Sequence, residues 1–124
     1  AFEIRNSVDA ISHSTCGMAI DLDAKAIIAC SISGRTARMV SRFRPTVPIL
    51  GLTTNERTWR KLALSWGVIP AMCEHYASTD VLFYIAKKIA EKDLELQKGD
   101  KIIITGGDTS GTSGNTSLIK IEKI

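Results

Sequence analysis

The segment Ser31-Ile32-Ser33-Gly34-Arg35-Thr36 gathers residues suited to holding a small anion. Ser31, Ser33 and Thr36 supply hydroxyl donors, Arg35 a charged fork, and Gly34 lets the backbone turn closely. The spacing predicts a helix from Arg35, whose first N–H groups would aim at the same space and favour a phosphate dianion. A second Gly/Ser/Thr-rich run, Thr105 to Thr116, offers close backbone approach and further hydroxyls for a phosphorylated sugar. Its Asp108 suits sugar hydroxyls better than a phosphate. GxxxxGK[ST] is absent, and the first loop lacks GxGxxG, so a nucleotide-triphosphate P-loop is unsupported. A Ser/Gly loop in an α/β protein also reads as a plain tight turn, and both readings stand at this point.

Other reactive side chains lack convergent partners. His13 and Cys16 share a helical face, but zinc needs three or four ligands and no second matched pair accompanies them. Cys73 and His75 share a strand face without an acid partner. Asp9, Asp21 and Asp23 cluster around the first helix, and Asp80 is explained by a helix start. Magnesium ligands and cations aimed at a moving phosphate, which phosphoryl transfer needs, do not assemble from these positions. Trp59 and Trp66 read as burying a helix against a sheet. Phe83 and Tyr84 fall outside the inward stripe of their helix and suit either local burial or a subunit contact.

The elements that must position these loops follow from periodicity. Val8, Ile11, Thr15, Met18 and Leu22 predict a helix capped by Asn6 or Ser7, and Ala26–Cys30 predicts a strand. Arg35 to Arg44 predicts a helix with Ala37 and Val40 inward, stopped before Pro45. Pro48 to Thr53 is a buried strand. Asn55 caps a helix with Trp59, Leu62, Ala63 and Trp66 inward, closed by Gly67. Val68–Met72 is a weaker strand, its proline favouring an early or edge position. A long helix starts at Ser78 or Thr79 and buries Leu82, Ile85, Ala86 and Ile89, with Lys87, Lys88, Glu91 and Lys92 toward water. Lys101 to Thr105 and Leu118 to Ile124 are the last strands. Helices alternating with strands predict a three-layer α/β/α sandwich around a mostly parallel five-stranded sheet. The short last loop and alternating Lys/Glu place the fifth strand antiparallel at an edge.

The 124 residues suffice for one domain with a core, and 44% hydrophobic content leaves little room for a disordered tail. A net charge of +3, from 16 Lys+Arg against 13 Asp+Glu spread along the chain, does not indicate a nucleic-acid partner. Three cysteines without a CxxC pair fit a reducing compartment. Neither a signal peptide nor an apolar run of membrane-spanning length is visible, so the expectation is a cytoplasmic domain. The start at Ala1 fits processing as well as excision from a longer polypeptide.

The order of these motifs resembles the C-terminal domain of pyruvate kinase along nearly the whole chain. The resemblance is carried by Asn6-Ser7-Val8-Asp9-Ala10-Ile11, by Ala24 to Ile28, and by Ser33-Gly34-Arg35-Thr36 running through Arg44-Pro45. Pro48-Ile49-Leu50-Gly51-Leu52-Thr53, Asn55-Glu56-Arg57, Leu62 to Val68 and Pro70 continue it, as do Ser78-Thr79-Asp80, Lys98-Gly99-Asp100, Ile102 to Thr105 and Ser113 to Lys120.

The resemblance implies a single C-terminal domain spanning 1–124, separate from the barrel and covering domains of the parent. The parent would be a glycolytic transferase moving phosphate from phosphoenolpyruvate to ADP. It would use magnesium and usually potassium in its catalytic part, with no catalytic, metal or cofactor residue in this chain. The implied effector contacts are Ser31, Ser33, Gly34, Arg35 and Thr36, with Gly111, Ser113 and Gly114 opposite. Ile32 stands where fructose-bisphosphate-responsive relatives have Lys, and Leu82 where some have Arg, so a sugar monophosphate or AMP-like effector is expected. The implied partners are identical subunits in a homotetramer, through the final strand and neighbouring helices, with neither nucleic acid nor membrane. An independently encoded phosphometabolite-binding module is the alternative reading.

Overall fold

The computed structural model describes Ile4 and residues 6–31, 33–74, 78–107 and 116–124. In chain order the elements are α1 (Ser7–Asp21), β1 (Ala26–Cys30), α2 (Arg35–Arg42), β2 (Ile49–Thr53), α3 (Glu56–Leu62), β3 (Val68–Met72), α4 (Thr79–Asp93), β4 (Lys101–Gly107) and β5 (Thr116–Lys123). Three helices start where the side-chain chemistry places them. Asn6 Oδ1 accepts the Asp9 amide at 2.9 Å, Asn55 Oδ1 accepts that of Thr58 at 3.0 Å, and Ser78 Oγ accepts that of Val81 at 3.3 Å.

The strands lie in the order β3-β2-β1-β4-β5, the first four parallel and β5 antiparallel to β4. β1 and β2 are buried along their whole length, as strands covered on both faces must be. Their side chains alternate between two cores. Ile27, Ala29, Ile49 and Ile103 meet Cys16 and Ala19 of α1, Ala37 and Val40 of α2, and Leu62 of α3. Ala26, Ile28, Cys30, Leu50, Leu52, Ile102 and Ile104 meet Leu82, Ala86 and Ala90 of α4. The result is the expected α/β/α sandwich. Pro70 has a physical reason for its place on the edge strand β3. The amide of Cys73 bonds to Thr53 O, and Gly67 O accepts from Ile49, so odd-numbered residues face β2. Pro70 therefore faces the open edge, where it removes one donor from a surface that would otherwise template further pairing.

Several expectations need correction. The buried residues of α1 are Val8, Asp9, Ser12, Thr15, Cys16 and Ala19, with Ile11, Met18 and Leu22 only half-buried. α2 ends at Arg42, not Arg44; Phe43 caps it, and Arg44 takes a left-handed φ of 51° before Pro45. α3 ends at Leu62, and residues 63–67 form turns that lead to Gly67 at φ 70°. Trp59 (40% exposed) and Trp66 (47%) therefore do not bury α3; Thr58 and Leu62 do. The Trp66 ring lies beneath the Arg44 guanidinium, 4.8 Å away, and its carbonyl accepts from Ser41 Oγ. On α4, Leu82, Ala86 and Ala90 are buried, while Ile85, Ile89 and also Lys87 and Glu91 are half-buried. β5 begins at Thr116, two residues before the expected Leu118, and ends at Lys123.

Candidate functional site

The first loop leaves the carboxyl end of β1, where open α/β sheets commonly bind ligands. Ser31 is anchored by its amide to Leu52 O at 3.0 Å. Gly34 sits at the N-cap of α2 with φ 80°, in the left-handed region, and offers no side chain to cap the helix. The loop hydroxyls do that work instead. Ser31 Oγ accepts the Gly34 amide at 3.1 Å, and Ser33 Oγ accepts the Arg35 amide at 3.3 Å. The two hydroxyls are themselves 3.3 Å apart. One must donate to the other, which leaves the second with its proton free to donate outward. Thr36, in the first turn of α2, is buried at 2% exposure.

Arg38, which sequence reasoning missed, donates from Nη1 to Ser33 O at 3.3 Å. It stands three residues after Arg35, about one helical turn along α2. Among the described residues no acid pairs with Arg35. One free hydroxyl proton of the Ser31–Ser33 pair, the start of α2 and the Arg38 guanidinium thus lie around this loop. Hydroxyls, helix start and cation of this kind are the chemistry that holds small anions.

The second loop begins beside the first. β1 pairs with β4 in a register that sets Cys30 against Gly106, so both loops leave the same end of adjacent strands. Gly106 is another residue the sequence did not single out. A Cβ there would lie 2.9 Å from Cys30 O, so only glycine allows β4 to approach the base of the first loop. The register then shifts between Gly106 and Gly107. Gly111, Ser113 and Gly114, together with Asp108 and Ile32, lie outside the described residues.

Beneath the first loop, Cys30, Ser31, Leu52, Thr53, Thr54, Cys73 and Leu82 line a small cavity. Burial, with a smaller contribution from neighbouring Cys73, pushes the Cys30 thiol up to about 12. Burial also raises the Cys73 thiol, and it raises Cys16 to about 11, so none of the three has the thiolate character of a reactive cysteine. Leu82 is only 2% exposed and packs in the α4-side core.

The remaining sequence candidates have local explanations. His13 is exposed, with its ring edge-on to Phe43 at 5.3 Å, whereas Cys16 turns inward, its Sγ 3.8 Å from Val40 O. The histidine and cysteine therefore point to different surroundings. His75 lies outside the described residues. Phe83 packs against the α4-side core with Lys120 over its ring at 4.9 Å, while Tyr84 is 63% exposed. Among the described residues no group of three or more His, Cys, Asp or Glu could hold a metal ion. No helix among them is long and apolar enough to cross a membrane.

Comparison with known proteins matches residues 9–122 to the family described as pyruvate kinase, alpha/beta domain. The pyruvate kinase of Clostridium acetobutylicum is 39% identical over 122 residues, covering 98% of this chain and 26% of that protein. Those of Clostridium perfringens (37%) and Geobacillus stearothermophilus (38%) each align over 116 residues, 94% of this chain but 24% and 20% of their own lengths. The chain thus spans about a quarter or less of these relatives.

Proposed function

This chain belongs to the pyruvate kinase alpha/beta domain family, and we propose that it is the effector-binding and subunit-contact domain of a pyruvate kinase. The parent enzyme transfers phosphate from phosphoenolpyruvate to ADP in glycolysis, in the cytoplasm. Its catalytic groups, magnesium and potassium belong to the barrel and covering domains, and residues 1–124 correspond to its C-terminal domain. The chain by itself is inactive, which a coupled lactate dehydrogenase assay tests; turnover above contaminant level contradicts it.

The observation that carries the effector reading is the Ser31–Ser33 hydroxyl pair, which takes up the Gly34 and Arg35 amides and keeps one proton to donate. Ser31, Ser33, Gly34, Arg35 and Thr36 hold the phosphate, and Gly111, Ser113 and Gly114 complete the site from the neighbouring loop. Leu82 is committed to the core, so its position provides no cation for a second phosphate. A sugar monophosphate or AMP-like effector therefore fits better than a bisphosphate. Titration followed by backbone amide resonances should give saturable shifts at Ser33, Gly34 and Arg35. Absence of such shifts with every phosphate tested rejects the site.

Identical subunits meet through β5 and the helices beside it. Ile121 on this edge strand is 50% exposed, between Lys120 and Glu122, which pair with each other at 3.2 Å. Sedimentation equilibrium of the chain at rising concentration tests this contact, and a strictly monomeric mass at high micromolar concentration contradicts it.

A further inference from the structure

Two glycines from different elements form a socket for one side chain of α3. A Cβ added at Gly34 would stand 2.8 Å from Thr58 Cγ2 and 3.2 Å from Leu62 Cδ2. A Cβ added at Gly51 would stand 2.9 Å from Leu62 Cδ1, and Ala37 Cβ lines the same space at 3.5 Å. Leu62 is 2% exposed. The side chain is thus wedged between the anion loop, β2 and α2, with no room for any of them to approach it. Close-packed interiors transmit such displacements rather than absorb them.

The wedge bears on the part of the loop that a ligand would pull. The amide of Gly34 is held by Ser31 Oγ at 3.1 Å, and an anion at the loop competes for that bond. Gly34 also accepts the Arg38 amide at 3.0 Å, which ties its position to α2. On the far side, α3 is a seven-residue helix. Its Trp59 is 40% exposed and, with Pro70, Met72 and Ile89, lines a surface groove at the open edge of β3. A short helix gripped from one side by the loop and exposed on the other is placed to move as a body.

We propose that the contact of Gly34 with Thr58 and Leu62 couples occupancy of the anion loop to the position of α3, and through α3 to the exposed groove containing Trp59 and Met72. The proposal rests on the phosphate-binding reading of the loop, and its test separates the two. The 124-residue chain is titrated with inorganic phosphate while loop amides, the Thr58 and Leu62 methyls and the Trp59 indole N–H are followed by NMR. The expected result is a saturable shift at all of them with one common midpoint. In Leu62→Ala the loop amides should still titrate while the Trp59 response is lost; Thr58→Ser replaces this variant where it fails to fold. Loop amides that titrate while Thr58, Leu62 and Trp59 stay unmoved overturn the coupling, as does a Trp59 response that survives in whichever variant folds. If the loop amides themselves do not move, the phosphate reading fails, and ligand-free variants decide the coupling. Thr58→Ser, or Gly34→Ala where it folds, must then shift resonances on both sides of the contact. Unchanged resonances across it overturn the proposal.

Discussion

Arg42 Nη1 on α2 stands 3.5 Å from Asp9 Oδ1 on α1, a carboxylate only 5% exposed. The guanidinium is 39% exposed, so the pair joins a buried acid to a half-solvated base across two helices on the same face of the sheet. Removing the base leaves the acid with less compensation for its burial. Arg42→Ala should therefore destabilise the chain by roughly 1–3 kcal/mol, read as a lower urea midpoint. A midpoint equal to wild type would show that the ion pair contributes nothing.

Leu62, not the tryptophans, anchors α3. Leu62→Ala empties a side chain enclosed by Gly34, Gly51 and Ala37, which should cost about 2–5 kcal/mol. Trp59→Ala, at a 40% exposed position, should cost roughly 1 kcal/mol or less. Paired denaturation curves check the order, and a larger loss for Trp59 contradicts the packing described.

The sequence carried the sandwich and the first loop for identifiable reasons. Short, β-branched apolar runs at Ala26–Cys30 and Ile102–Ile104 read as strands covered on both faces, and Asn6, Asn55 and Ser78 announce their helices through capping chemistry. What stayed hidden depends on contacts distant in the chain. Ser12 reads as polar and Ile11 as apolar, yet the helix turns Ser12 fully inward because α1 must face α2 and β5. Trp66 fits the helical spacing, but Gly67 and the turns after Leu62 take it off the helix. Gly106 looks like any loop glycine until the register places it against Cys30 O. Arg38 acquires its role only because α2 starts at Arg35 and brings it back over Ser33.

The buried thiols give the chain a pH-dependent stability on the alkaline side. Burial raises Cys16 to about 11 and Cys30 to about 12 from the usual 9.0. Unfolding exposes both, so above pH 9 the unfolded chain releases protons that the folded chain retains. The stabilisation is fully present below pH 9 and is lost progressively as the pH rises from 9 through about 11 to 12. Denaturation midpoints should fall over that range, and fall less in Cys30→Ala than in wild type. At neutral pH an aromatic disulfide reagent should modify half-buried Cys73 first, and Cys16 and Cys30 only on unfolding. Equal rates for all three thiols would contradict their placement.

Phosphate binding by the loop from Ser31 to Thr36 is the central proposal for this domain. Calorimetric titration of the chain with a hexose monophosphate, with the unphosphorylated hexose as control, measures this. Saturable binding is predicted for the phosphate ester alone, and Arg35→Ala, which removes a charge-assisted bond, should weaken it about 10- to 100-fold. Equal heats for the ester and the free sugar, or an affinity unaffected by Arg35→Ala, would contradict the account.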